Sequence, residues 1–494
     1  MAVLFNTAPF LIGFLPIVLG LFFLVGRLGG TAWARACIVG ASLVFYGWWD
    51  WRFVALLAGS IVANYWLGGA ILAAARARRD GAARRWLVVG VAFNLGLLGW
   101  FKYAGFLARA AAALAGLHAP ALNVALPLAI SFFTFQQIMF LADSAHADRP
   151  DANFTTYAAF VAFFPHLIAG PIVRPREIIP QLLSPDLARP RAEAIAAGME
   201  VFLLGLAKKV VLADTFAHFA DVGFDAAAHG ASLTLFEAWY ALLAYALQIY
   251  FDFSGYSDMA IGLARMLNIR FPLNFDSPYK ARDIAAFWRR WHITLGLFLR
   301  DYFYIPIGGS RVGVSRGAFN LMATMLLCGL WHGAAWRFVL WGGLHGLFLI
   351  VHRVWHRRGH ALPGLLAHAL TLLCVLLAWV PFRAQGIAAS LAMLRGLFGF
   401  NGVALPAMVL GWLPWLGVLA EPVASLPSLG DARTLSFPEA TACLAIGWTI
   451  VLWAPQLHAL SARARGLALT ASFALSVQAV FFAPRVIPFL YFRF

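Results

Sequence analysis

The chain has 494 residues, of which 62% are hydrophobic and only 12% charged, about half the roughly 25% usual in soluble domains. That balance excludes the ordinary soluble classes and leaves a polytopic membrane protein. The formal net charge of +16 needs no nucleic acid to explain it, because cation-rich cytoplasmic loops and anionic lipid account for it.

A membrane span takes about 20 mostly apolar residues. Apolar runs fall near 8–26, 34–48, 53–75, 86–101, 103–115, 126–142, 157–170, 195–213, 232–251, 318–351, 366–383, 404–420, 440–455 and 466–484. Several are short or interrupted, which predicts about ten to twelve true transmembrane helices with re-entrant or interfacial helices between them. The first run carries neither a basic leader nor a small-residue cleavage site and reads as a retained span. Arg27 and Arg35 follow the first span, and Arg76, Arg78, Arg79, Arg84 and Arg85 follow the third. Placing both clusters in the cytoplasm puts the N-terminus on the periplasmic side. The basic stretch from His352 to Arg358 prefers the cytoplasmic face as well.

No repeat or long linker divides the chain, so residues 1–494 read as one membrane domain. Its longest polar connection is 184–191, and 421–438, rich in Pro, Ser and Gly, reads as an exposed loop. Cys37, Cys328, Cys374 and Cys443 are scattered through apolar segments without a Cys-x-x-Cys pair. Neither a disulfide framework nor a zinc site is indicated.

The run 318–351 is too long for one straight span: as a helix it would reach about 51 Å, against about 30 Å of hydrocarbon. Gly333 supplies a break, which puts His332 at a bend, and Arg337 favours an interface or a polar cavity beside it. The segment around His292 differs. On a helix, Trp288, Trp291, His292, Leu295 and Leu299 share one face, and the Arg289-Arg290 pair argues for an amphipathic helix lying in or dipping into the interface.

An imidazole exchanges protons near neutral pH, and an ionisable group inside hydrocarbon asks for a reason. His332 therefore reads either as a general base that takes a proton from an attacking hydroxyl or as a hydrogen-bonded histidine holding a bend. Trp331 and Trp336 would wall it from water. His292 reads either as a group orienting His332 or stabilising charge on a thioester oxygen, or as a snorkelling interfacial residue. Asp252 and Ser254 suit the cap of a helix beginning near 256; Asp252 or Asp258 instead suits a role lining the reaction chamber. Arg174, and the loop 304–311, offer cations either to the phosphates of an acyl donor or to lipid. His146, His166 and His345 read as packing residues. No histidine pair has ligand spacing with a carboxylate, so no metal is expected, and no glycine pattern supports ATP or NAD.

These stretches together resemble the membrane-bound O-acyltransferase (MBOAT) family, and within it the bacterial alginate O-acetyltransferase type. The resemblance rests on Leu126 to Gln136, Phe164 to Arg174, Tyr250 to Asp258, Phe287 to His292 with Arg300-Asp301-Tyr302 and Gly308-Gly309, Gly329 to Trp336, Trp341-Gly342, His345-Gly346 and Pro488 to Phe494. The motif-bearing core is about 126–352, with an all-α membrane fold implied around it.

The resemblance implies tilted helices around a central funnel or tunnel, with His332 at the catalytic position and His292 on a second signature position. It implies a cytoplasmic acyl donor, acetyl-CoA or another acyl thioester, with no bound cofactor. It also implies a periplasmic acyltransferase partner and a polysaccharide acceptor such as alginate, at the bacterial inner membrane. Cellulose, peptidoglycan and D-alanylation are the other acceptor chemistries, and a non-catalytic transporter or export subunit is the competing class. Three residues depart from the pattern: Ala129 replaces a glycine, Gly296 a serine, and Arg337 a smaller residue.

Overall fold

Hydrocarbon offers no partner to a free backbone N–H or C=O, so apolar stretches close their hydrogen bonds internally as helices. The computed structural model describes residues 4–118, 122, 124–146, 152–412, 421–423, 437–455, 460–482 and 487–490. Six described helices are long and apolar enough to cross a membrane: Pro9–Asp50, Arg52–Arg76, Asp80–Leu114, Trp336–Arg357, Gly364–Arg383 and Ala462–Phe482. Ile387–Leu397 and Pro438–Trp453 are shorter apolar helices. The protein is thus a multi-pass, overwhelmingly helical membrane protein. Its described strands, Ala404–Pro406 and Glu421–Val423, form one short parallel pair. Most of the expected loop 421–438 lies outside the described residues.

Two apolar runs at the start combine differently from the expectation. Pro9–Asp50 holds both 8–26 and 34–48, interrupted at Gly30, whose φ of 75° takes it out of the helix. The runs 86–101 and 103–115 are one continuous helix, joined by a π-turn at Gly99–Tyr103. No proline intervenes to stop it, and Lys102 inside the turn donates to Ser131 Oγ at 3.0 Å.

The chain forms two interleaved units. The first comprises Met1–Leu206, Gly255–Asn274 and Leu469–Phe492; the second comprises Ala207–Ser254, Phe275–Ala468 and Arg493–Phe494.

In the first unit lie α1 (Leu15–Asp50), α2 (Arg52–Arg76), α3 (Asp80–Leu98), α4 (Ala104–Leu114), α5 (Ile130–Ser144), α6 (Phe154–Ala162), α7 (Phe164–Leu167), α8 (Pro175–Leu182) and α9 (Ala192–Ala207). Nearly all of α5 is buried, two glutamines included. Gln137 accepts from Ser60 Oγ at 2.7 Å and from Asn64, and Asn64 and Asn94 exchange amide hydrogen bonds. These amides tie α2, α3 and α5 together, each bond contributing about 0.6 kcal/mol in a membrane interior. Gln136 Nε2 meets His166 Nδ1 at 2.7 Å, which fits the packing role read for His166. Arg35 reaches the carbonyl of Leu182 at 3.0 Å and so satisfies the end of α8. Ala129, where the resemblance expects glycine, precedes α5 with φ 64°. Its Cβ makes that left-handed conformation cost about 1–2 kcal/mol.

The second unit carries α10 (Asp214–Ala228), the N-terminal part of α11 (Leu235–Met266), α12 (Ile284–Trp288), α13 (Ile293–Leu299), α14 (Val314–His332), α15 (Trp336–Arg357), α16 (Gly364–Arg383) and α17 (Ile387–Leu397). α14 and α15 fold back on each other through glycines. Side chains at Gly329 and Gly342 would run into the carbonyls of Phe338 and Met325, so only glycine admits this approach. α9 and the C-terminal part of α11 use the same device inside the first unit, where a Cβ on Gly198 would stand 2.7 Å from the Gly262 carbonyl.

Candidate active site

The break expected inside 318–351 is present. α14 ends at His332, Gly333 is extended with φ −172° and ψ 150°, and α15 begins at Trp336. The ring of Phe338 fills the space a side chain on Gly333 would need. His332 is 6% exposed and its imidazole is enclosed by aromatic rings. Trp331 lies at 4.9 Å, Trp341 at 5.1 Å and Phe382 at 5.1 Å between centroids.

His292 comes to the same place, its ring centroid 6.4 Å from that of His332. It does not sit on a continuous helical face. α12 stops at Trp288, Arg289 to Trp291 form a turn, and His292 precedes α13 with φ 44° and ψ 52°. The shared face of 288–299 is therefore corrected, as is the snorkelling role read for His292, since Trp291 and His292 are 2% and 0% exposed. A left-handed backbone is uncommon for a residue with a side chain, though histidine is enriched there. The turn aims the imidazole at Phe253, 4.7 Å away edge to face, and at Trp331, 5.7 Å away. Burial pushes the pKa of His292 down to about 3, which keeps the ring neutral and able to donate one N–H.

A second layer holds these rings. Trp288 Nε1 donates to His345 Nδ1 at 3.3 Å. Trp341 packs on His345 at 4.9 Å as well as on His332. Trp379 Nε1 donates to Tyr279 Oη at 3.2 Å, and that hydroxyl donates to the Ala246 carbonyl at 2.7 Å. His345 thus has the packing role read for it, and it also receives the Trp288 N–H.

The other candidates are placed as follows. Trp331 is 2% exposed and touches both histidines, whereas Trp336 is 59% exposed at the start of α15. The aromatic wall is closed by Trp331 together with Trp341 and Phe382, the last distant enough in sequence to escape a local motif reading. Asp252 does not cap a helix near 256, because α11 runs unbroken from Leu235 to Met266. It pairs instead with buried Lys209 at 3.0 Å, and Lys209 also meets Asp214 at 2.6 Å. An internal cation between two carboxylates is compensated, which burial of a charge requires. Asp258 is partly buried in the first-unit part of α11. Arg174, also in the first unit, is only 6% exposed and stands before α8, which removes the reading of it as a lipid-facing anchor.

Among the described residues, no group of three His, Cys, Asp or Glu side chains is placed to hold a metal ion. The arrangement offers two imidazoles in an aromatic enclosure, with the Arg337 guanidinium stacked on its Phe338 side at 4.3 Å. Such an enclosure suits proton transfer to and from a neutral substrate group.

The profile of the membrane-bound O-acyltransferase family matches residues 121–363. The chain is 43% identical over 432 residues to the peptidoglycan O-acetyltransferase of Helicobacter pylori, covering 81% of each chain. It is 41% identical over 405 residues to the probable alginate O-acetylase AlgI of Pseudomonas aeruginosa, covering 80% of this chain and 75% of that one. To the probable alginate O-acetylase AlgI of Azotobacter vinelandii it is 37% identical over 516 residues, covering 99% and 100%. With helices long enough to span a membrane and these relatives, the chain is a membrane-bound acyltransferase and belongs to the membrane-bound O-acyltransferase family.

Proposed function

We propose that this acyltransferase takes an acetyl group from a cytoplasmic thioester, acetyl-CoA or a carrier thioester, and passes it across the bacterial inner membrane for O-acetylation of an exopolysaccharide such as alginate. The observation that carries this reading is the meeting of His332 and His292, 6.4 Å apart in an aromatic enclosure. His332 takes the proton of the acceptor hydroxyl as its oxygen attacks the thioester carbonyl. The C–S bond then breaks, the ester forms, and the thiolate leaves with the proton returned by His332. Neutral His292 donates its N–H to the carbonyl oxygen as negative charge develops there.

The remaining roles follow from this reading. Trp331 excludes water, Asp252 keeps Lys209 neutralised, and Arg174 with Asp258 serves the donor. Trp336, exposed, lines the approach. Donor and acceptor approach from opposite faces through a central funnel or tunnel, with the N-terminus periplasmic. A periplasmic acyltransferase partner then delivers the group to polymer.

The acceptor has a second reading. The 43% identity to the Helicobacter pylori peptidoglycan O-acetyltransferase supports peptidoglycan, whereas alignment along 99% of this chain with the Azotobacter vinelandii alginate O-acetylase supports an exopolysaccharide. D-alanylation has weaker support, at 26% identity over about half the chain.

The test is ester content on exported polysaccharide and on peptidoglycan from cells carrying wild-type or His332→Ala protein at equal membrane levels. Ester lost from one polymer, with the polymer still made, identifies the acceptor and supports His332 as base. Unchanged ester on both would remove His332 from the chemistry.

A further inference from the structure

The end of α16 is a weak point in the second unit. Pro381 lies in its last turn, where it lacks an N–H and disturbs the preceding carbonyl, and the final carbonyls of any helix lack intrahelical donors. Arg337 supplies them. Its Nη1 donates to the carbonyls of Phe382 at 2.9 Å, Ala384 at 2.9 Å and Arg383 at 3.4 Å. A cation at this helix terminus also complements the helix dipole.

A second arginine ties the same turn to another helix. Arg383 Nη2 bonds Asp221 at 2.6 Å and lies 3.6 Å from Asp225, both on α10. Its guanidinium covers the Phe224 ring at 5.4 Å. Between these anchors, Phe382 is turned inward against His332 at 5.1 Å, Trp341 at 5.0 Å and Phe338 at 5.2 Å. Arg337 itself stacks over Phe338 at 4.3 Å, so the residue that holds the carbonyls also packs against the wall of the enclosure.

We propose that Arg337 is a positioning residue for His332, acting through the end of α16: it clamps residues 382–384 so that Phe382 closes the enclosure on the imidazole. Arg337 touches no reacting atom. A planar guanidinium with several fixed donors suits a fan of carbonyls, and the point charge of lysine does not reproduce it. The inference rests on packing alone and stands whichever donor or acceptor the enzyme uses.

The experiment reads ring accessibility rather than turnover. The full chain, in lipid nanodiscs, is treated with diethyl pyrocarbonate and the rate of modification at each histidine is followed by mass spectrometry. His166, fully buried in the first unit, is the internal reference. Arg337→Met is expected to raise the rate at His332 at least about threefold relative to His166, as local opening without global unfolding does. Arg337→Lys should fall between that variant and wild type. Phe382→Leu, which leaves the clamp intact, should reproduce the selective rise. If Arg337→Met does not fold, Arg337→Gln replaces it. An unchanged rate at His332, or a rise at His166 in parallel, overturns the proposal.

Discussion

His332 and His292 both stand where a helix is interrupted, but the interruptions differ in kind. At His332 the break is made by its neighbour: Gly333 leaves the helix in an extended conformation and Phe338 fills the space beside it. The histidine keeps an ordinary helical backbone. At His292 the histidine itself is the break, with φ 44° and a local cost of about 1–2 kcal/mol. One site therefore separates chemistry from backbone geometry, and the other combines them. A substitution at 332 reports on the imidazole, whereas one at 292 also tests how the new residue tolerates a left-handed backbone.

The sharpest way to test that contrast is to remove each imidazole. His332→Ala should lower acyl transfer about 10²–10⁴-fold, as loss of a positioned base does. His292→Ala should lower it by about 10²-fold, as loss of one donor to a developing oxyanion does. Equal membrane levels of the variants make the comparison fair, and a larger loss at 292 than at 332 would reverse the assigned roles.

Acid stability comes next. Folded His292 resists protonation until about pH 3, whereas in the unfolded chain a histidine takes up its proton near pH 6.5. Between those values the unfolded state binds the extra proton, so stability present above about pH 6.5 is lost as pH falls. Thermal melts from pH 7 to pH 5 should show a smaller loss for His292→Gln than for wild type. Identical slopes would mean that the buried neutral imidazole contributes nothing to acid sensitivity.

The backbone half of the comparison has smaller effects. Gly333→Ala forces a Cβ against the Phe338 ring, which is 2% exposed and has little room to move. The expected cost is about 1–3 kcal/mol, read as a lowered melting temperature, and a neutral result would show that the α14–α15 turn yields. His292→Gly should be more stable than His292→Ala by about 1 kcal/mol, because glycine accepts positive φ without penalty. Ala129→Gly, at φ 64°, should gain about 1 kcal/mol or less for the same reason. Should alanine prove the better residue at 292, the left-handed backbone is not a source of strain there.

How far the primary structure can be read is clear from particular residues. The membrane class follows from composition, since 62% hydrophobic and 12% charged residues have no stable soluble arrangement. That 318–351 is broken follows from length, because an unbroken helix overshoots the bilayer, and the glycine at 333 marks where. Both depend on properties of one segment and its solvent, and for that reason they are visible in one dimension. His332 and His292 stand out as imidazoles in apolar stretches, and the family resemblance implies a catalytic position for the first and a signature position for the second.

Other features needed the fold. Nothing local marks His292 as the left-handed residue between two short helices; the aromatic packing around Phe253 and Trp331 selects that conformation over the helix its neighbours prefer. Asp252 suits a helix cap as a local pattern, but Lys209, on another helix, supplies a charge partner and α11 continues past it. Trp336 looked equivalent to Trp331 across the motif, yet one is exposed and the other buried. The wall is completed by Phe382, whose place depends on Arg337 reaching three carbonyls at the end of α16. Helix formation and the choice of solvent are decided by neighbours along the chain; which rings enclose an imidazole is decided by side chains that only packing brings together.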